Sequence, residues 1–267
     1  EIPKRDWSSD VCSSDLTVSA HQPYVGRTAF AHKGGLHVAA VETAPETFEH
    51  IDPEKVGNEQ RIVISELSGK GAVLRKAHEL GLELEGDDRR VATVLKRLKT
   101  REHEGYHYES ADASFELLLR EELAPHEPLF RLESFRVIVE KREDGRAVVE
   151  ATIKIHVGDE RIISTAEGNG PVNALDSALR QAIVSKYPHL AEIELVNYKV
   201  RILDETKGTG AVTRVLLDAS DGEESWGSIG VSENIIEASW EALVDSIEFG
   251  MLRGPEPGTA RGQGDGT

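Results

Sequence analysis

The second half of the chain spells the same order of elements twice, which restricts the folds open to it more than any single motif. LFRLESFRVIVEK, RAVVEATIKIHV and ERIISTAEG carry the partial alternation of strands and are parted by turns at Asp144-Gly145 and Gly158-Asp159. Gly168-Asn169-Gly170-Pro171 then opens a helix through Val172, Leu175, Leu179 and Ile183, with proline suited to the first turn. ELVNYKVRIL, AVTRVLLDAS and ESWGSIGVS repeat the strands, parted by turns at Lys207-Gly208-Thr209-Gly210 and Asp221-Gly222, and a helix from Asn234 to Met251 closes the series. Val172, Ala174, Ala178, Leu179 and Ile183 align with Ile236, Ala238, Ala242, Leu243 and Ile247 at a constant shift of 64 residues. The pattern predicts an α+β fold built on a tandem βββα duplication. One helix covers one face of a three-stranded sheet, so the other face is expected to be apolar and to pack on a second copy or a second chain. Such seams suit a small ligand.

Upstream the texture is helical. Val73, Leu74, Ala77 and Leu80 share a face, with Gly81 as a stop. A second helix opens after Gly86 with Asp87 and Asp88 in its first turn and runs through Val91, Val94, Leu95 and Leu98. A third covers Ala113 to Leu123, and Pro125 and Pro128 mark a boundary. These signals give a helical region over residues 17–126 and a tandem βββα domain over 127–253. Residues 1–16, including Cys12, carry a short Ser-Ser-Asp duplication and read as translated adapter sequence or a disordered leader. Residues 254–267, GPEPGTARGQGDGT, read as a disordered tail. On this reading the useful chain begins partway through a longer protein.

Charge narrows the partners. Of 267 residues, 31 are Lys or Arg and 48 are Asp or Glu, a formal charge of −17. So acidic a molecule repels phosphate backbones and anionic lipid, which excludes nucleic-acid and membrane-surface partners from the expectation. No window offers the ~18 apolar residues of a bilayer span. A single Cys forms no internal disulfide and fits a reducing, cytoplasmic setting.

Several motifs fail on inspection. Ser68-Gly69-Lys70-Gly71 lacks the first glycine of a phosphate loop and a hydroxyl after Lys70; Gly168-Asn169-Gly170 and Gly208-Thr209-Gly210 lack the third glycine of a dinucleotide fingerprint. His103-Glu104-Gly105-Tyr106-His107 spells H-E-x-x-H, but Gly105 interrupts the helix that pattern needs, so a helix end with surface His is expected. Arg89, Arg90, Lys96, Arg97, Lys99 and Arg101 on the second helix read as a solvated face balancing nearby acids. His32 and His37, five apart around Lys33-Gly34-Gly35-Leu36, match no usual metal spacing.

The residues Ala29-Phe-Ala-His-Lys-Gly-Gly-Leu-His37, Phe48-Glu-His-Ile-Asp-Pro53, Val56-Gly57-Asn58, Ser65-Glu-Leu-Ser-Gly-Lys70, Val200-Arg-Ile-Leu-Asp204 and Asn234-Ile-Ile-Glu-Ala-Ser-Trp240 together resemble the C-terminal part of the alpha-isopropylmalate and homocitrate synthase family, on the side of its citramalate synthases. The resemblance implies an acyltransferase of branched-chain amino-acid synthesis that condenses acetyl-CoA with pyruvate. It also implies that residues 17–126 are linker and residues 127–253 a regulatory domain. Members of the family work as homodimers, and a TIM barrel carries the chemistry with a divalent metal, Mg or Mn, held by a His-x-His pair and an Asp. No His here has another His two positions on, so the barrel, and with it any cofactor, is expected to lie outside this chain. The fragment alone is then expected to be inactive.

The same resemblance implies the site residues. Two linker positions of the family reach a neighbouring subunit's active site: His37 matches the first, and Phe48 stands where the family usually has Tyr. An isoleucine or leucine effector needs an apolar socket, acceptors for its ammonium and N–H donors for its carboxylate, which a helix start supplies. Leu195, Tyr198, Ile202, Val212, Glu233 and Asn234 resemble that pocket. Two alternatives stay open: the corresponding part of a 2-isopropylmalate synthase of leucine synthesis, and a free-standing amino-acid-binding dimerisation module without enzymatic activity.

Overall fold

The computed structural model describes residues 22–26, 28–33, 40–41, 43–63, 70–79, 88–123, 128–222 and 224–253. His37, the leader at 1–16 and the tail at 254–267 fall outside them. The chain divides into two compact units, residues 1–63 and 64–267. Among the described residues no helix is long and apolar enough to cross a membrane.

The first unit centres on two short parallel strands, β1 (Ala31–Lys33) and β2 (Arg61–Val63). Between them run two single-turn 3-10 helices, Pro45–Thr47 and Pro53–Val56, each opened by a proline whose missing N–H costs nothing there. Asp52 Oδ1 accepts from the Glu54 amide, and Gly57 closes the turn in the left-handed region. Asn58 Nδ2 donates to both the Tyr24 and Gly26 carbonyls at 2.8 Å, so the Val56-Gly57-Asn58 motif pins the entering loop.

The second unit begins with three helices, α1 (Lys70–Glu79), α2 (Asp88–Glu104) and α3 (Asp112–Leu123). Val73 and Ala77 of α1, and Val91, Val94 and Leu98 of α2, are fully buried, as the 3.6-residue period requires. His103 and Glu104 end α2, and His103 is exposed, so the H-E-x-x-H string is a helix end.

Two antiparallel sheets follow, β3 (Arg131–Lys141), β4 (Ala147–Val157), β5 (Glu160–Gly168) and β6 (Glu194–Ile202), β7 (Thr213–Ser220), β8 (Ser225–Ser232), each a meander in sequence order. Each is followed by its helix, α4 (Pro171–Ile183) and α5 (Ile235–Arg253). The α+β duplication is therefore present, and its register is detailed. Phe135, Ile153 and Ser164 stand in line across the first sheet, and Tyr198, Leu217 and Ser228 across the second. Both first strands carry a bulge at the same place, at Glu133 and at Val196.

The open face of the first sheet is more polar than expected. On β4, Val149, Ala151, Ile153, Ile155 and Val157 are buried toward α4, while Glu150, Thr152, Lys154 and His156 alternate onto the other face. Glu133 there accepts two bonds from Arg161 and one from His156. Charged and hydroxyl side chains make up most of that face, with Ile138 and Ile163 exposed among them. More apolar surface is left on the helix side of the first strands, because α4 lies mainly over β4 and β5, and α5 over β7 and β8.

One core joins the two repeats. Leu175, Leu179 and Ile183 of α4 and Leu243 and Ile247 of α5 are fully buried in it, and Phe135 of β3 meets Trp240 of α5 at 5.4 Å between ring centroids. Gly230 lets α5 approach β8 closely, since an added Cβ would run into the Ala238 carbonyl oxygen. Strand β8 is an edge, yet its outward amides are capped: Gly227 N–H donates to Asp112, Ile229 N–H to Ser114 and Val231 N–H to Glu241. Capping closes the edge to further strands.

Candidate functional site

The residues singled out in the second repeat converge on one flank. Leu195, Tyr198 and Ile202 are spaced by three and four, which in a regular strand would scatter them over both faces. The bulge at Val196 corrects the phase: Leu195 pairs with Ala219, Tyr198 with Leu217 and Ile202 with Thr213, all positions whose side chains are buried on the α5 side. Val200, which the sequence reading passed over, pairs with Val215 and completes the row. Because α5 covers β7 and β8, this row stays partly open, with Tyr198 42%, Val200 39% and Ile202 56% exposed. Leu195 is more deeply set against the core.

The start of α5 forms the other bank. Ser239 gives its proton to the Ile235 carbonyl at 2.6 Å, so the Tyr198 hydroxyl donates to Ser239 Oγ at 2.7 Å and ties the strand row to the helix. Ile235 is 43% exposed beside it in sequence. Asn234 caps the helix: its Oδ1 accepts from the Ile236 amide at 2.9 Å and its own amide donates to Ser232. That oxygen is therefore engaged in holding the helix start, while Glu233 is exposed. Val212 is half-buried, and its carbonyl accepts from the Leu203 amide at 2.9 Å, prolonging the β6–β7 ladder past Ile202. The flank thus offers an apolar row, a tyrosine oxygen and the positive end of a long helix, groups suited to the side chain and carboxylate of a small ligand. Val200 could have been found from the strict alternation of Tyr198, Val200 and Ile202, whereas Ser239, on the helix, is brought to the row only by the fold.

In the first unit, Phe48 is 46% exposed and lines a cavity of about 420 Å³ together with Tyr24, Phe30, His32, Glu49 and His50. The His32 imidazole donates through Nε2 to the buried Glu49 carboxylate at 2.7 Å, and Tyr24 meets His50 edge-on with a 3.2 Å hydrogen bond. His32 is thus a paired, structural histidine. Phe48 brings an aromatic face and no proton to this cavity. His37, the other position of the pair, lies outside the described residues.

Two family models match the chain, and they meet within the second unit. A family model described as the LeuA allosteric (dimerisation) domain matches residues 109–251, which span α3 and both βββα repeats. One described as homocitrate synthase post-HMGL domain-like matches residues 24–105. The chain is similar to the (R)-citramalate synthase of Streptomyces coelicolor, 53% identical over 241 residues, which are 90% of this chain and 45% of that protein. The (R)-citramalate synthase of Geobacter sulfurreducens is 47% identical over 244 residues, 91% of this chain and 46% of that protein, and that of Aquifex aeolicus 42% identical over 245 residues, again 91% and 46%. The chain spans about half the length of the curated relatives it matches. With that model running over most of the second unit and more than half of the whole, on the tandem fold described above, the chain belongs to the family that carries the LeuA allosteric (dimerisation) domain.

Proposed function

We propose that this chain is the linker and regulatory part of a citramalate synthase, and that the β6–α5 flank seats a branched-chain amino acid, isoleucine before leucine. The observation that carries the reading is the half-open row Tyr198, Val200 and Ile202 beside the start of α5. The aliphatic side chain of the effector would lie on that row and its carboxylate near the first amides of α5. A second copy of the chain would cover the remaining apolar surface, so the working form is a homodimer. The name shared by the relatives supports citramalate, formed from acetyl-CoA and pyruvate, as the product. Isoleucine, an end-product of the route that citramalate opens, is then the natural inhibitor, and the setting is the cytoplasm.

In the reaction a divalent metal, Mg or Mn, would polarise the keto oxygen of pyruvate. Among the described residues no three His, Cys, Asp or Glu side chains are grouped to hold such an ion, so the residues described here are given no part in holding it. Their contribution is positional. His37 would deliver a proton-handling group to the neighbouring subunit's active site, and Phe48 would contribute packing where a tyrosine would add a hydroxyl.

Calorimetry of the purified chain with isoleucine and with leucine tests the seat. Heat with isoleucine that disappears in Tyr198→Ala supports it. Heat with leucine alone moves the chain to the leucine branch, and no heat with either at millimolar ligand sinks the effector reading. Binding by a chain whose natural gene encodes no barrel would identify a free-standing module.

A further inference from the structure

We infer that the elbow at Gly105 and Tyr106 is the device that passes occupancy of the β6–α5 flank to the helices upstream. The inference rests on the reading of that flank as the effector seat. The elbow lies just after α2, where the upstream of the two segments matched by the family models ends at Gly105, and it is gripped by both banks of the seat.

The first grip comes from the strand bank. Gly105 has φ +114°, a conformation open to glycine, and the space its missing side chain leaves is filled by the Leu203 methyl and then by Val231. Leu203 directly follows Ile202, the last residue of the half-open row. Arg214, one residue into β7, donates from Nε to the Gly105 carbonyl at 2.5 Å. The chain turn is therefore seated on the far end of the same two strands that carry the row.

The second grip comes from the helix bank. The Tyr106 hydroxyl donates to Glu241 Oε1 at 2.5 Å, while Arg101 Nη1 donates to the Tyr106 oxygen at 2.5 Å and to Glu241 Oε1 at 3.3 Å. The Arg101 guanidinium also lies over the Tyr106 ring, 4.5 Å from its centroid. Glu241 uses its second oxygen on the Val231 amide, and it stands two residues beyond Ser239, which holds the Tyr198 hydroxyl. Burial, with the Glu241 carboxylate beside it, pushes the Tyr106 phenol far above its ordinary range, so it stays a donor at every working pH.

A ligand wedged between β6 and the start of α5 must change the separation of Leu203 and Glu241. The elbow spans those two residues and has its soft point at Gly105, so it follows. Beside it a cavity of about 300 Å³, lined by Arg97, Arg101, Tyr106, Tyr108, Glu241 and Asp245, gives room for the movement. Coupling of this kind needs two sites and a shared element that both of them hold.

Hydrogen exchange of the 267-residue chain, with isoleucine as the probe, tests the link. Exchange of the amides at 103–108 is expected to slow by about fivefold together with those at 198–203. Tyr106→Phe removes only the hydroxyl. It is expected to keep isoleucine affinity within about threefold and protection at 198–203, while most of the slowing at 103–108 is lost. Glu241→Gln, which keeps an oxygen for the Val231 amide, is expected to behave alike. Protection at the flank with no change at 103–108 in the unaltered chain overturns the link and leaves the seat standing, as does undiminished slowing at 103–108 in both variants. No binding heat and no protection anywhere overturns the seat and the link together.

Discussion

Asp245 shows how misleading an acidic residue can be when read alone. Glu241, Asp245 and Glu248 stand four and three apart on α5, a spacing that reads as a solvated face. All three instead line the cavity against α2 and α3. Burial raises the Asp245 carboxyl from its ordinary value to about 7; the bond from Ser114 opposes the rise, and Glu241 and Glu248 add to it while Arg101 works against it. A carboxyl raised on folding binds a proton that the unfolded chain has already released. Its cost is therefore absent below about pH 4, grows between about 4 and 7, and is complete above 7. Asp245→Asn keeps an acceptor for Ser114 and removes the charge. The variant is expected to melt higher than the unaltered chain at pH 8, by the equivalent of about 2 kcal/mol, with the gap closing as the pH falls toward 5. Thermal melts across that range measure it, and a gap independent of pH would show that Asp245 is not the group responsible.

At the scale of elements, the link between the repeats depends on one half-buried cation. Arg180 of α4 donates from Nε to Asp176 at 2.8 Å and from Nη1 to the carbonyls of Leu190 and Ile193 at 3.0 and 2.6 Å, in the turn that leads into β6. Burial raises the Asp176 carboxyl in spite of that partner. Arg180→Ala strands a largely covered carboxylate and two carbonyls and is expected to cost about 2 kcal/mol in urea unfolding, whereas Arg180→Lys, with one point charge for a fork, loses about half as much. Strand and helix order was legible from the sequence because local alternation and the 3.6-residue period need only neighbours to declare themselves. The shift of 64 residues between Leu179 and Leu243 announced the duplication for the same reason. What was illegible depends on contacts between distant residues. The bulge at Val196 puts Leu195 and Tyr198 on one face, Gly230 admits α5 to β8, and side chains from α3 and α5 close the β8 edge; no local pattern encodes any of these. Half of the candidate seat was thus readable as residue types, and Val200 from the alternation of its neighbours, while the geometry and the membership of Ser239 came only from the fold.

For the whole molecule, seat and dimer are expected to be one thermodynamic object. The row Tyr198, Val200 and Ile202 is an unbroken apolar run, whereas on the open face of the first sheet Ile138 and Ile163 are set among charged and hydroxyl side chains. Association should therefore use the former, and an effector bound where two copies meet strengthens the pairing by mass action. Val200→Glu places a charge in the middle of the row, where an unpaired carboxylate resists desolvation. Sedimentation equilibrium is expected to give twice the 29.3 kDa chain mass for the unaltered protein and a single chain mass for the variant, with isoleucine tightening only the former. A variant that still pairs would move the interface elsewhere. Regulation and chemistry should separate in the complementary experiment, on the longer protein joined to its barrel. His37→Ala is expected to lower turnover by about 10² or more with the isoleucine midpoint and the dimer mass unchanged, because the proposed proton-handling group sits in the first unit and the seat in the second. A shifted midpoint with normal turnover would instead place His37 on the regulatory side.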